Sequence, residues 1–468
     1  MINSSLINAN PEIKRDFGSF HSSNVEELIH QSETTYVAPK LAVQFDASSL
    51  ANCDFGTSQL KKELFCLTDE FTFINHGAFG LTFKPVLKYV AQWKEYAEMQ
   101  PLKFYDREIM PLLVDLIRNL SKNVFKCRPC ELVLVENCTF AFNSIFSSLK
   151  LNPEEKILIF STTYGVYKKI LREKCQTENG FLIEETIEYP INDEEDLNAK
   201  FIGKLEKALE ADSVERKIKC IFVDHIPSNQ PFLVPIVALS QLCKKKRPDI
   251  CFIVDGAHTL GSFNIFESLD LKCIDYFFTN CHKWFCGPKG TAVLYKNELV
   301  RKEFLVKPAV RSHGCNAGFN SEFIWSGLRD YSSYLGLYAN IDLFMNHLGG
   351  FAKVIDYCTN LTRQAGEYLK KSWSTSFLVH EKLCSTMICV KLPDSFVQKV
   401  SKLDTNQNVK LNYDNAELVQ NFFYYNHKVE VPIKCVQNDL YVIISCHIYN
   451  NMKDYAFLAN VVLDVIKS

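Results

Sequence analysis

Short runs of β-branched and aromatic residues alternate with helical stretches through the middle of this chain, and this alternation constrains the possible folds more than any other feature. The runs, between residues 132 and 295, are LVLVE, ILIF, FLIEETI, CIFVD, CFIVD, YFFTN and TAVLY. Strands that alternate with helices pair as parallel neighbours, and strands of nearly continuous apolar character are buried on both faces. We therefore predict an α/β fold in which helices cover both faces of a mostly parallel sheet.

Charge and composition exclude several classes of protein. The 468 residues include 52 basic and 54 acidic side chains, a net charge of −2, and 47% are hydrophobic. This balance argues against a nucleic-acid-binding protein and against a disordered chain.

Eighteen cysteines would indicate a disulfide scaffold only in a short secreted chain, and the first twenty residues contain no apolar signal segment. No run reaches the ~18 apolar residues of a membrane helix, so we expect a cytoplasmic protein with reduced thiols and no membrane partner.

The pattern changes twice along the chain, which predicts three regions and no internal repeat. Residues 1–65 are polar and aperiodic, and we interpret them as an extended arm. Residues 66–335 contain the alternating strands and helices and form the predicted large domain. A long helical stretch then leads into strands such as TMICVKL and LYVIIS, so residues 336–468 are predicted to form a smaller C-terminal α/β domain.

Polar turns follow three successive central strands. CIFVD continues into HIPSNQP, CFIVD into GAHTLG, and YFFTN into CHKWFCGPKG. The carboxyl ends of parallel strands meet at one edge of a sheet, and ligands bind outside that edge. These turns therefore predict the binding site of the protein.

Two residues in these turns, Asp255 and Lys283, predict the cofactor. A lysine in an apolar crevice can lose its proton and attack a carbonyl group, while a buried carboxylate can keep a pyridine nitrogen protonated. Pyridoxal 5'-phosphate needs both groups. Its phosphate would find free amides and the Thr139 hydroxyl where ENCTFAFNSIF begins a helix. Each residue alone also has an ordinary interpretation as a cap, a surface charge or, for His258, a hydrogen-bonding core residue.

Seven motifs together resemble one enzyme family. They are INHGAFG, ENCTFAFN, TTYGVYKK, VDGAHTLG, NCHKWFCGPKG, FIWSGLRD and VIISCHIYN. From about Phe71 onward the chain resembles the class V aminotransferase superfamily of fold type I pyridoxal phosphate enzymes. Within it, the chain is similar to the group that contains isopenicillin N epimerase and the ergothioneine-pathway carbon–sulfur lyases. The resemblance implies the fold type I architecture and a homodimer.

The resemblance also implies a role for each matching residue. It makes Lys283 the Schiff-base lysine, places Asp255 at the ring nitrogen and puts His258 at the phenolic oxygen. Tyr164 would stack on the pyridine ring, unless it is a core tyrosine that begins a helix, and Ser228 would lie near the phenolic oxygen and the substrate. Four residues fall at phosphate-contact positions: Cys138, Thr139, Asn280 and His282.

Two departures from the family pattern bear on the substrate. Leu328 stands where relatives carry a threonine that reaches the neighbouring subunit's phosphate, and Ile443 stands where an arginine grips the substrate carboxylate. An isoleucine cannot bind a carboxylate. Either another cation takes this role, with Arg329 and Arg311 as candidates, or the substrate is unusual, or turnover has been lost.

The predicted function is therefore that of a pyridoxal-phosphate-dependent enzyme with a small amino-acid-type substrate. A cysteine-conjugate carbon–sulfur lyase is favoured, and the alternatives are an epimerase and a non-catalytic homologue that binds the cofactor.

No metal site is predicted: Cys127 and Cys130 have metal-ligand spacing but no second pair nearby, and Cys281 and Cys286 are expected to be packing residues.

Overall fold

A computed structural model describes residues 22–47, 54–264, 271–402 and 413–468. Its strands, numbered in chain order, are β1 Thr72–Phe73, β2 Leu132–Val135, β3 Lys156–Phe160, β4 Phe181–Glu185, β5 Ile218–Asp224, β6 Cys251–Asp255, β7 Tyr276–Asn280, β8 Ala292–Lys296, β9 Met387–Lys391, β10 Val429–Glu430, β11 Ile433–Val436 and β12 Asp439–Ser445.

The α-helices within the same ranges are Ser22–His30, Ser58–Leu64, His76–Phe79, Lys84–Met99, Pro101–Lys103, Ile109–Asn119, Cys138–Ser148, Gly165–Thr177, Glu194–Ala211, Ile236–Lys246, Phe319–Ile324, Ser332–Asp342, Gly350–Trp373, Asp394–Ser401, Tyr413–Asn421 and Met452–Lys467. None of them combines the length and the apolar character that crossing a membrane requires.

The large sheet has seven strands in the order β2-β8-β7-β6-β5-β3-β4. Its neighbours pair in parallel except where β8 runs antiparallel to β2 and β7. Consecutive residues of β6 enter opposite cores, Phe252 and Val254 on one face and Cys251 and Ile253 on the other. Burial on both faces explains the continuous apolar runs, and the predicted mostly parallel α/β fold is confirmed.

The N-terminal region is not extended throughout the part that the structure describes. It contains the helices Ser22–His30 and Ser58–Leu64, and the side chains of Val25 and Ile29 are buried. The Arg118 guanidinium donates hydrogen bonds to the carbonyls at the end of the first helix. The helix Ser22–His30 has only nine residues, which is too few to show a clear repeat of apolar positions in the sequence. Contacts with the rest of the protein therefore stabilise it. Residues 1–21 and 48–53 lie outside the described ranges.

A second, three-stranded antiparallel sheet forms near the C-terminus in the order β11-β12-β9. The helices Gly350–Trp373 and Met452–Lys467 pack against each other beside it. β1 pairs in parallel with β10, so the chain just after the N-terminal region is joined to this C-terminal part. The helix Ser332–Asp342 runs across the boundary expected at residue 335 and packs on the helix Lys84–Met99.

Candidate active site

A cavity of about 420 Å³ lies at the carboxyl ends of the parallel strands. The last residues of β5 and β6, Asp224 and Asp255, are in register there, and Asp255 is paired with Phe278, two residues before the end of β7. The residues predicted from the sequence share one location, because all of them line this cavity: Cys138, Thr139, Tyr164, Ser228, Asp255, His258, Asn280, His282 and Lys283.

The side chain of Lys283 lies beside that of His258. Its Nζ is 3.1 Å from His258 Nε2. Burial lowers the pKa of the Lys283 ammonium, and the Cys138 and Asp255 side chains oppose this shift. A lowered pKa increases the fraction of neutral amine at neutral pH, which is the form that attacks a carbonyl group.

The hydrogen bonds of His258 determine which of its nitrogens carries the proton. Burial, reinforced by the Lys283 charge, holds the pKa of His258 well below its ordinary value, so the ring is neutral. Its Nδ1 accepts a hydrogen bond of 3.3 Å from Trp284 Nε1. The proton must then lie on Nε2, so in this structure Nε2 donates to the neutral amine of Lys283 across the 3.1 Å contact. The Nε2–H group of His258 is a suitable hydrogen-bond donor for the phenolic oxygen of pyridoxal phosphate.

Asp255 and Asp224 form a buried pair of carboxyl groups. Asp255 Oδ1 accepts a 2.7 Å hydrogen bond from the Ala257 N–H, and burial raises the pKa of Asp255 to about 6. Burial and the charge of Asp255 raise the pKa of Asp224 well above its ordinary value. Two adjacent carboxylates disfavour a second negative charge. Sequence reasoning missed Asp224, although CIFVD ends in an aspartate just as CFIVD does.

This pair provides a test of whether the site fits pyridoxal phosphate. Asp224 Oδ1 is buried without a hydrogen-bond partner in the described structure, while Asp224 Oδ2 accepts from the Tyr164 N–H at 3.0 Å. A protonated pyridine nitrogen would bring a hydrogen-bond donor and a positive charge to this pair of buried carboxyl groups, which disfavour a second negative charge on their own. The residues therefore fit the cofactor.

The start of the helix Cys138–Ser148, where the sequence predicts the phosphate contacts, lies at the wall of the cavity. Asn137 caps the helix by accepting from the Phe140 N–H, and the Cys138 N–H donates to Asn280 Oδ1 at 3.1 Å. The exposed Thr139 is a cavity-lining residue of the first turn. First-turn amides and the helix dipole favour an anion at this point.

His282 is the fourth residue predicted to contact phosphate. Its Nδ1 lies 2.9 Å from the Thr291 carbonyl, which can only accept, so Nδ1 carries a proton. Burial lowers the pKa of His282 to about 4 and leaves Nε2 without a proton. A phosphate dianion at Nε2 would raise that pKa and turn Nε2 into a donor.

Tyr164 and Ser228 leave groups free for a ligand. The Tyr164 side chain is 40% exposed and precedes the helix Gly165–Thr177. It is therefore not a buried core tyrosine, and its ring can stack on a flat ligand. Ser228 Oγ is buried and has no hydrogen-bond partner among the described residues.

Neither of the two arginines named as candidates to replace the family arginine lines the cavity of this chain. Ile443 lines the cavity, whereas Arg329 and Arg311 do not. Arg329 lies 3.4 Å from Glu136 and over two tyrosine rings, and Arg311 contacts Cys315. Lys434 of β11 does line the cavity. Sequence reasoning missed it because nothing in the pattern of β11 indicates which face of the small sheet covers the cofactor site.

Two histidines hold the turn that carries Lys283. His76 Nε2 and His447 Nε2 each lie 3.2 Å from a backbone carbonyl, those of Lys283 and Trp284. The Cys286 thiol lies close to both imidazoles, and these three buried side chains carry atoms of the kinds that bind metal ions. Both Nε2 atoms must carry protons to donate to carbonyls, and burial raises the pKa of the Cys286 thiol. The cluster therefore positions the lysine turn through hydrogen bonds and packing.

Gly80, in INHGAFG, contacts the same turn closely enough to give a testable prediction. At φ +63° an added Cβ would lie 2.2 Å from the His282 carbonyl oxygen and 2.5 Å from Lys283 Cα. We expect Gly80→Ala to destabilise the protein by about 1–3 kcal/mol and to weaken cofactor binding. Urea unfolding and cofactor titration measure the two effects.

The matched control is Gly165→Ala, because no atom lies within 4 Å of the Cβ built there. Gly165 follows the cavity residue Tyr164, so both glycines are close to the site. Equal stability of the two variants would contradict the tight contact at Gly80.

Comparisons with known proteins agree with this geometry. The aminotransferase class-V family matches residues 111–413. An L-cysteine desulfhydrase of Arabidopsis thaliana is 27% identical over 418 residues, which cover 84% of this chain and 87% of the relative. A hercynylcysteine sulfoxide lyase of Schizosaccharomyces pombe is 21% identical and covers 86% of this chain and 96% of its own. An isopenicillin N epimerase of Streptomyces clavuligerus is 24% identical over 47% of this chain and 52% of its own.

Solved structures show the same fold. A cysteine desulfurase from Thermococcus onnurineus superposes with a TM-score of 0.65 at 16% identity, covering 89% of this chain and all of the other. A cystine carbon–sulfur lyase in complex with cysteine persulfide also gives a TM-score of 0.65 at 16% identity, covering 85% of this chain and 98% of the other. The predicted fold type I architecture and the suspected group of relatives are confirmed. Since the family match spans most of the sequence, the chain belongs to the class-V aminotransferase family of pyridoxal-phosphate-dependent enzymes.

Proposed function

We propose that this protein is a carbon–sulfur lyase that acts on cysteine or a cysteine conjugate. The observation that carries the proposal is the Lys283 amine, which has a lowered pKa and lies beside a neutral His258 in the cavity that the buried Asp255 also lines. Support for the reaction class comes from relatives named as L-cysteine desulfhydrase and hercynylcysteine sulfoxide lyase.

Each site residue has a chemical task in this proposal. Pyridoxal phosphate, when bound, withdraws electrons from the substrate α-carbon through its protonated ring. Asp255 would hold the proton at the ring nitrogen, and His258 Nε2 would donate to the phenolic oxygen. Phosphate contacts would come from the first turn of Cys138–Ser148, and Tyr164 would hold the ring flat. Ser228 Oγ would gain its missing partner at the phenolic oxygen or the substrate.

Lys283 would act as the base in the elimination. Its neutral amine accepts the proton of the substrate α-carbon, and the β-carbon–sulfur bond breaks with its electron pair leaving on sulfur. Hydrolysis of the remaining three-carbon unit gives pyruvate and ammonium.

Cys138 is an unsuitable persulfide carrier, because burial holds the pKa of its thiol well above the ordinary value and keeps it protonated.

We also propose a homodimer, a cytoplasmic location and a division into domains at residues 66–335 and 336–468. The homodimer is supported by Leu328, which is 74% exposed in the motif that relatives direct toward a neighbouring subunit. A reducing compartment is supported by the described cysteines, all of which are free thiols. The division is supported by the two separate sheets.

The direct test is product analysis with purified, cofactor-loaded protein. Incubation with L-cysteine, L-cystine and S-alkyl-L-cysteine sulfoxides is expected to release pyruvate and a sulfur product in equal amounts. A lactate dehydrogenase coupled assay measures the pyruvate, and mass spectrometry after trapping measures the sulfide, persulfide or sulfenic acid. Free pyridoxal phosphate without protein is the control. Racemised amino acid without pyruvate would indicate the epimerase, alanine would indicate a desulfurase, and binding without any product would indicate the non-catalytic homologue.

A further inference from the structure

One face of the small sheet forms a wall of the cofactor cavity. In the antiparallel pair, Lys434 is opposite Tyr441, and the Ile443 N–H donates to the Pro432 carbonyl at 3.0 Å. Side chains alternate along a strand, and opposed residues share a face. Five residues of this one face line the cavity: Met387, Pro432, Lys434, Ile443 and Ser445.

Lys434 is a diagonal neighbour of Ile443 on that face. The residue opposite Ile443 is Pro432, and Lys434 follows two positions later on the same strand. Diagonal side chains start roughly 7–8 Å apart, which long side chains can span. An ammonium group from Lys434 can therefore reach the region that a guanidinium from position 443 would occupy.

Within the part of the chain that the structure describes, no charged group of the cavity pairs with Lys434. Among the described residues that line the cavity, the lysines are Lys283 and Lys434, and no arginine joins them. The described structure places no carboxylate within ion-pair distance of Lys434 and gives its ammonium no hydrogen bond. Burial lowers the pKa of Lys434, against an opposing effect of Cys389. A half-buried cation of this kind is stabilised by an anion from the ligand.

We propose that Lys434 binds the α-carboxylate of the substrate and takes the role of the arginine that Ile443 replaces. The substrates are then α-amino acids held by one point charge, rather than by the bidentate grip of a guanidinium. This inference rests on the proposed function only in assuming that an amino acid presents its amine to the cofactor. It does not require cleavage of a carbon–sulfur bond.

The test compares two amines that differ in the carboxylate. Cofactor-loaded wild type and Lys434→Met are titrated with L-alanine and with L-alaninol, which has a hydroxymethyl group in place of the carboxylate, and the visible absorbance of the bound cofactor is followed. Lys434→Met should bind L-alanine roughly 10- to 100-fold more weakly, as expected for loss of a charge-assisted pair. Its affinity for L-alaninol should stay within about twofold of wild type.

Two further variants make the result specific. The control is Lys391→Met, because Lys391 belongs to the same sheet but pairs with Asp439 at 2.8 Å and does not line the cavity; it should leave the preference for L-alanine unchanged. Adding Ile443→Arg to Lys434→Met should restore that preference. If the methionine variant does not fold, Lys434→Gln carries the same expectation.

An unchanged preference for L-alanine in Lys434→Met would overturn the proposal. Equal weakening of both amines, or loss of the cofactor itself, would also overturn it, because Lys434 would then hold the cofactor or the fold. Neither amine carries a sulfur leaving group, so the carboxylate preference is measured whether or not the protein proves to be a lyase.

Discussion

Lys283→Ala is expected to lower the rate of pyruvate release by roughly four orders of magnitude or more, because the amine is both the attachment point for the cofactor and the base at the α-carbon. The structure supports this size of effect, since the only other cavity lysine among the described residues, Lys434, lies on the small sheet rather than beside His258. Initial rates with L-cysteine measure the loss.

A second readout follows the cofactor directly. After borohydride reduction and dialysis, wild type should retain the near-ultraviolet absorbance of the covalently attached cofactor, and Lys283→Ala should lose it. Lys169→Ala is the control, because Lys169 is exposed on the helix that follows Tyr164. A reduced cofactor adduct on another lysine of the alanine variant, located by peptide mapping, would remove Lys283 from the proposed role.

Asp255→Asn is expected to fold and to bind cofactor, but to lose roughly 10²- to 10³-fold in rate, the usual effect of removing one electrostatic group from a reaction centre. An amide cannot match the charge of a carboxylate beside the protonated ring nitrogen. Rates on a substrate accepted by wild type measure this effect. Wild-type turnover by the variant would exclude Asp255 from the mechanism.

The same substitution should stabilise the cofactor-free protein at neutral pH. Folding raises the pKa of Asp255 from 3.8 to about 6, so the folded state binds its proton more tightly than the unfolded state. Stability from this group is present below about pH 4 and is lost as the pH rises through 6, a difference on the order of 2–3 kcal/mol. Urea unfolding of cofactor-free protein at pH 4 and pH 8 should show a smaller loss in Asp255→Asn than in wild type.

Equal pH dependence in the two proteins would mean that Asp224 takes up the proton instead. The two carboxyl groups are side by side in the sheet, and burial also raises the pKa of Asp224. Asp224→Asn in the same experiment separates the contributions of the pair.

Local sequence patterns were sufficient for the large sheet and for its functional edge. The apolar runs predict strands buried on both faces, and parallel connection brings the turns after β5, β6 and β7 to one edge. Lys283 and Asp255 could therefore be placed together before the fold was known. Asp224 can be assigned to the same edge once the register of β5 with β6 is known, because it is paired with Asp255.

Contacts between distant parts of the chain decided the rest. The helix Ser22–His30 depends on Val25 and Ile29 packing against the body of the protein, and no period in nine residues predicts it. Lys434 is more than 150 residues from Lys283 in the sequence, and its role depends on the register of β11 with β12 and on the face of the small sheet that covers the cavity. Strand alternation is set by neighbouring residues, whereas register and the packing of one sheet over another are set by tertiary contacts. The sequence by itself thus determined the fold class, the cofactor and the sheet edge at which the cavity lies, and only the tertiary structure decided that Lys434 is a cation lining that cavity.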